Sequence, residues 1–539
     1  MTIRYLILTG VFSILYACAR QTTPDGGPKD LAPPKLMRSS PSNNEKNFKE
    51  KILTFYFSEQ VKLKEPKEEI IITPEPAKNL FYLAKQNRIT IESKTAWKDS
   101  TTYSIAFREA IQDITESNPI ENLRIAFSTG SIIDSLTLHG KIVDALTEKI
   151  PQKITVAIHQ SDTFNIFQHA PSYFTKTDKN GRFVITNLKP GSYKVYAFDD
   201  KNKNLKVETK TEPFGFYPGW VTLKEKVDTL QLILISMDSR PIRLTNVRHT
   251  DKFSTVKFNK SLVTYSAHIP NKSILNAFGD DQSEIKFFHH LTPPDSLPVT
   301  LQGTDSLNQK IDTLFYIKAG TNASIKEAFK YELLKPDINA ESAVFTATVT
   351  INKPILKINF DSIFFKIDTL NRIPFTPLNI QYDTANNKIQ IHKELDKKTL
   401  GRLTAPLEFY IGTATFISIE NDSSKKVSKR ITQPKPEDTA TLLLEVQTSK
   451  TDYEIQLITT DYKIIQTARN AKKITFKNVP PAEYKIRIYL DQNNNNKWDP
   501  GNINLDIPPE PTFFYKNEAG KYQFPLRANW QVGPYKIVF

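Results

Sequence analysis

Alternation of apolar and polar residues with a period of two constrains this chain more than any other feature. Phe345, Ala347, Val349 and Ile351 alternate with Thr346, Thr348 and Thr350. Leu356, Ile358 and Phe360 alternate with Lys357 and Asn359, and Ile154, Val156 and Ile158 with the smaller Thr155 and Ala157. Successive side chains of a strand point to opposite faces, so the pattern predicts half-buried antiparallel strands. Residues 230–235 are more continuously apolar, as a strand covered on both faces would be. Helical periodicity is nearly absent. The best helix start is Ser324 with Glu327, the spacing of a capping box. The fold class is therefore all-β. At 539 residues, the chain is long enough for three to five domains. Its 39% hydrophobic content supports several cores, and 17 glycines exclude a collagen-like repeat.

The first residues set the compartment. Arg4 gives a positive start, and 5–17 form an apolar run of signal-peptide length, too short for a membrane-spanning helix. The run ends in Leu15-Tyr16-Ala17-Cys18. This resembles a bacterial lipobox, which implies acylation of Cys18, the chain's only cysteine. Thioether-linked acyl chains at about 0.8 kcal/mol per buried methylene would anchor the protein without a span. A Gly- and Pro-rich tether, 18–34, follows. Ala19 rather than Asp at the second position favours the outer membrane. No acidic block follows Cys18, which leaves open whether the protein faces the periplasm or the cell surface.

Five units are expected in the body: 35–134, 135–240, 241–338, 339–436 and 437–539. In the first, Pro33-Pro34, Phe57-Ser58-Glu59, Tyr103, Ile111-Gln112-Asp113 and Phe127-Ser128-Thr129-Gly130 occur in that order. This resembles the bacterial Ig-like domain found at the N-terminus of Bacteroidetes lipoproteins, which implies a β-sandwich. The second unit carries a turn at Thr177-Asp178-Lys179-Asn180-Gly181 and then Asn187-Leu188-Lys189-Pro190-Gly191-Ser192-Tyr193. It is similar to the prealbumin-like β-sandwich found beside carboxypeptidases. Residues 183–193 align without gaps with 474–484, and the register continues from Asp200 into Asp491. We read this as an internal duplication that makes 437–539 a second prealbumin-like unit. Unit 339–436 is expected to be a further Ig-like domain. The tripeptide Asp-Ser/Thr-Leu, at 134, 228, 295, 305, 312 and 368, reads as turn punctuation before strands.

The strongest local chemistry is Asp491-x-Asn493-x-Asn495-x-Lys497-x-Asp499. Side-chain oxygens at positions 1, 3, 5 and 9, with a backbone carbonyl at 7, follow the spacing of an EF-type calcium loop. Asn496 replaces the glycine at position 6, and Asn502 the bidentate glutamate at 12. The duplicate supplies Asp200, Asn202, Asn204 and Glu208. Calcium is the one cofactor expected, in a stiffening role; an Asn-rich turn is the alternative. Phe216, Tyr217 and Trp220 lie in the most aromatic loop and could form a partner-binding or glycan-stacking platform. The 8 histidines include the adjacent pair His289-His290 but no His-Glu-x-x-His, and they read as surface residues. No nucleophile elbow, phosphate loop or dinucleotide fingerprint occurs. The final residues 535–539 alternate like a barrel signal but read as a closing sandwich strand. The net charge of +14 is spread along the chain as a lysine-rich surface, and nucleic acid is not an expected partner.

Together these readings describe a non-enzymatic outer-membrane lipoprotein, anchored through Cys18, with sandwich modules strung out as an elongated scaffold. The expected partner is an envelope complex, one built on an outer-membrane β-barrel. The alternatives are a glycan-binding surface lipoprotein and, from plentiful carboxylates, a hydrolase.

Overall fold

The computed structural model describes residues 30–539 except 76–79, 122, 162, 172, 225–228, 271–273, 293, 322–326, 340–341, 369–370, 397–406 and 432–435. The signal segment, Cys18, most of the tether and Ser324 lie outside the described residues. Among those described, the only α-helix is the four-residue turn Pro66–Glu69. The rest is strand and loop, and the chain is an all-β series of Ig-like sandwiches.

Among the described residues, five of the six apolar cores each fill one module, and the sixth lies where the second module meets its neighbours. In the first module, Leu53 and Phe55 of one sheet face Ile105 and Phe127 of the other. Trp97 packs edge-on against Tyr103 and Phe127, and its indole N–H donates to the Glu50 carbonyl at 2.9 Å. Asp113, in the Ile111-Gln112-Asp113 segment, holds a turn. Burial would raise its carboxyl, but the backbone N–H groups of Glu116, Ser117 and Asn118 donate to it and hold it below the ordinary range. In the third module, Phe258, Phe287, Val299 and Phe315 fill the core. In the fourth, Phe345, Phe365, Phe375 and Phe409 form one aromatic cluster.

The boundary between these two modules differs from the expected 338/339. Strand Tyr331–Asn339 pairs with Val344–Ile351, so the fourth module begins before Tyr331. Pro336 explains the miss. It has no N–H for a ladder, and here it sits at a register shift between Leu334 and Asp337 on an edge strand. The tripeptide punctuation holds in part. Asp305 accepts N–H bonds from Leu307 and Gln309, and Asp368 one from Asn371. Asp312 instead lies inside strand Lys310–Lys318.

The second and fifth modules have the same topology. A three-stranded sheet places Leu136–Asp144 between Arg182–Leu188 and a parallel partner, Leu230–Leu234. Its counterpart places Ala440–Gln447 between Lys473–Val479 and Gln531–Val538, again parallel to the last strand. The facing sheets match as well, in the order Tyr173–Lys176, Thr155–His159, Gly191–Phe198, Phe214–Phe216 in the second module. The matched tyrosines are both buried. Tyr193 Oη donates to the Lys189 carbonyl at 2.9 Å, and Tyr484 Oη to the Pro480 carbonyl at 2.7 Å. The duplication is thus structural.

The modules are not strung out end to end. The second is a hub. The first module meets it through Ser104 and Thr186 at 2.9 Å. The third meets it where the Lys260 ammonium donates to the Asp238 carbonyl at 2.9 Å. The fifth folds back onto it across more than 300 residues of sequence.

Candidate functional site

The duplicated loops sit at the fold-back. In the second module both Asp200 oxygens accept backbone N–H bonds, from Asn204 at 3.0 Å and Leu205 at 3.2 Å. In the fifth, Asp491 does the same with Asn495 at 3.0 Å and Asn496 at 2.8 Å. Asn202, Asn204, Asn493 and Asn495 each accept an N–H two residues on, forming a ladder of Asx turns. Their amides turn to the remaining acids: Asn202 donates to Glu208, and Asn493 and Asn495 to Asp499. A second buried acid closes each loop. Glu212 accepts from the N–H groups of Lys201 and Glu208, and Glu510 from those of Gln492 and Asp499. Burial raises Asp200 and Glu510, the latter with help from Asp499 and Asp491.

In this arrangement the side-chain oxygens expected to face calcium accept hydrogen bonds from the loop itself. The oxygens at positions 1, 3 and 5 each accept a backbone N–H, the Lys497 N–H being one of the donors. In the fifth module Arg469 already supplies the cation: its guanidinium meets Glu454 at 2.5 Å and Asp491 at 3.4 Å, and donates to Asn496. Sequence reasoning missed Glu510 because an insertion around Ile503–Leu505 breaks the offset. Glu212 lies 12 residues after Asp200, whereas Glu510 lies 19 after Asp491.

The loops flank a clasp between the two modules. The Lys485 ammonium, buried, pairs with Glu148. Tyr462 Oη donates to the same carboxylate at 2.9 Å. Burial opposes both charges, yet the bonds between them prevail: Glu148 lies below the ordinary carboxylate range and Lys485 above its own. Arg487 donates to the Leu146 carbonyl at 3.1 Å. At the rim Asp506 takes Lys194 at 2.9 Å and the Gly219 N–H at 2.8 Å. Beneath these polar contacts, Trp498 and Ile503 pack onto Phe198, Phe214 and Phe216.

That packing removes the expected aromatic platform. Phe216 is 5% exposed, because strand pairing turns it into the core shared with the fifth module. Tyr217 packs against the module's own core, and Trp220, 38% exposed, stands alone beside Lys194 at 5.6 Å. Of the histidine pair, His290 is exposed as expected, but His289 is not. His289 is buried, its Nε2 3.1 Å from Ser254 Oγ, which His249 Nδ1 approaches to 3.0 Å from the other side. Ser254 itself is 0% exposed, so no substrate reaches this Ser–His contact.

Comparison with known families follows this division. Residues 30–129 match the bacterial Ig-like domain. Residues 149–210 match polysaccharide lyase family 4, domain II, and 433–529 match an uncharacterized protein family conserved in bacteria (DUF2141). These last two matches overlap the units 135–240 and 437–539, which were expected to be prealbumin-like, and carry other family descriptions. No curated protein sequence matches the chain. Among solved structures, the major pilin subunit of Bacillus cereus is 11% identical, covering 75% of this chain and 99% of its own, with a TM-score of 0.14. Domains 1–6 of surface layer protein SbsC are 9% identical, covering 92% and 68%, with a TM-score of 0.17. Superpositions this loose carry no argument about function.

Proposed function

We propose that the chain is a non-enzymatic outer-membrane lipoprotein, tethered through Cys18, that serves as a scaffold or accessory subunit of an envelope complex built on a β-barrel. The observation that carries this reading is the fold-back. Three modules packed against one hub make a braced body suited to holding partners in fixed relation. Exposed strand surface supports it. In the third module, strand Lys310–Lys318 ends its sheet and presents Leu314 and Tyr316, 58% and 56% exposed. Such an edge can accept a partner strand. The test is affinity capture of the lipidated protein from its own membrane in mild detergent, with Cys18→Ser in parallel. The scaffold reading expects stoichiometric recovery of one barrel with the wild type, and loss of the variant from the membrane fraction. Recovery of the bait alone, where known envelope complexes survive, would overturn it.

A second reading, a glycan-binding surface lipoprotein, is favoured by the match of 149–210 to a polysaccharide lyase domain. Glycan-array binding that Trp220→Ala abolishes would decide for it.

A further inference from the structure

We infer that the cleft between the first and second modules binds a phosphate monoester carried on a sugar-sized molecule. The cleft encloses about 450 Å³, within the range of small-molecule sites. Its lining holds six lysines and arginines against four carboxylates, a surplus of two positive charges.

The pairing inside the cleft locates that surplus. Glu69 is shared by Arg108 at 2.9 Å and Lys153 at 3.3 Å. Lys179 takes Glu109 at 3.2 Å and Glu121 at 3.8 Å. Asp178 accepts the N–H groups of Asn180 and Arg182. Arg124, Lys176 and Arg182 are left. Among the described residues, none of the three has a carboxylate within 4 Å, and the one side-chain bond among them is a long 3.4 Å contact from Arg124 to the Val184 carbonyl. Burial, and then the field of Arg108, pushes both Arg124 and Lys176 below their ordinary ranges. Glu69, Glu68 and Asp200 oppose this at Lys176 without overcoming it. Half-buried cations without partners are costly to the fold unless something outside the chain meets them.

The duplication supplies an independent comparison. In the second module Thr155 pairs in register with Lys176 and with Phe198. In the fifth, Glu454 pairs in register with Arg469 and with Tyr489. Lys176 is therefore the counterpart of Arg469, and Thr155 that of Glu454. Arg469 is neutralised by Glu454 and Asp491. In the second module the glutamate is replaced by a threonine whose hydroxyl, buried, has no partner. The same cation position is thus tied down in one copy and released into a cleft in the other.

A phosphate monoester brings about 1.5 to 2 negative charges near pH 7 and three strong acceptor oxygens. That matches a surplus of two; a carboxylate would meet half of it. This inference does not depend on the scaffold reading.

The test is calorimetric titration of the full chain with glucose 1-phosphate, inorganic phosphate and glucuronate. Saturable binding of the sugar phosphate is expected, at least about 10-fold tighter than either of the others. Lys176→Met and Arg124→Met should each weaken it about 10-fold or more, the loss of one charged hydrogen bond. Arg182→Gln at the exposed rim serves as a further variant should Arg124→Met fail to fold by circular dichroism. Lys463→Met, on the fifth module and away from the cleft, should leave binding unchanged. No saturable heat at millimolar ligand would overturn the proposal. So would glucuronate or free phosphate binding as tightly as the sugar phosphate, or cleft variants that bind like wild type.

Discussion

Replacing Glu148 by glutamine should open the clasp. The side chains of Lys485 and Glu148 are 4% and 14% exposed, so the substitution strands an ammonium in a site water barely reaches. Removing one partner of a buried ion pair costs about 3 kcal/mol, toward the low end of what such pairs show because Glu148 keeps some solvent. That energy falls on the docking of the fifth module, since neither residue lies in a module's own apolar core. A cost of about 3 kcal/mol raises the open population roughly 150-fold. The Gly219 amide, which donates across the interface to Asp506, reports the opening. Its hydrogen exchange in the full chain should accelerate by about two orders of magnitude, while amides of Ala482–Leu490 stay protected. Glu148→Gln combined with Lys485→Met removes both charges and should restore most of the protection. Lys194→Ala, at the partly exposed rim pair, should change it by no more than about 1 kcal/mol, roughly fivefold. Unchanged exchange at Gly219 in Glu148→Gln would refute the reasoning, because the buried pair would then not hold the modules together.

Three further outcomes are expected. Tyr193→Phe and Tyr484→Phe each remove one buried bond to a carbonyl, and each should cost its module about 1 kcal/mol, read as faster exchange in Gly191–Phe198 and Ala482–Leu490 respectively. Burial, then Lys318 in one case and His249 in the other, depresses His249 and His289; the unfolded chain therefore takes up protons first as pH falls below about 6.5. The third module should lose stability from there downward and be indifferent above, and urea midpoints of the doubly substituted His249→Gln, His289→Gln chain should lack that slope. Millimolar calcium should leave the melting temperature unchanged, because the loop oxygens already serve the backbone; a clear rise would show that the asparagine amides rotate to face an ion.

What the sequence disclosed was what period and local chemistry can encode. Alternation located the strands, and the gapless repeat from Phe183 and from Ile474 exposed the duplication. The Asx turns at Asp200 and Asp491 were legible because aspartate and asparagine carry their turn chemistry with them. The fold-back was not. Lys485 and Arg487 alternate with Tyr484, Ile486 and Ile488, so they read as a solvated face. That face is covered only because another module lies on it, and periodicity is blind to partners 300 residues away. The same blindness put Phe216 on an expected platform and His289 on the surface. In the cleft, the decisive fact is the carboxylate that Lys176 lacks, which emerges only when ladder registers of the two copies are compared.

The parallel first and last strands of the hub bear on how it would answer tension. Leu136–Asp144 and Leu230–Leu234 lie side by side and point the same way, in register from Gly140 with Leu230 to Asp144 with Leu234. A pull along the chain draws the first strand back from its start and the second forward from its end. The bonds between them are then loaded in shear, and the whole ladder must yield together. Had the strands been antiparallel, the same pull would peel them apart one bond at a time. A hub built in this way can pass load from one neighbour to the next without unravelling.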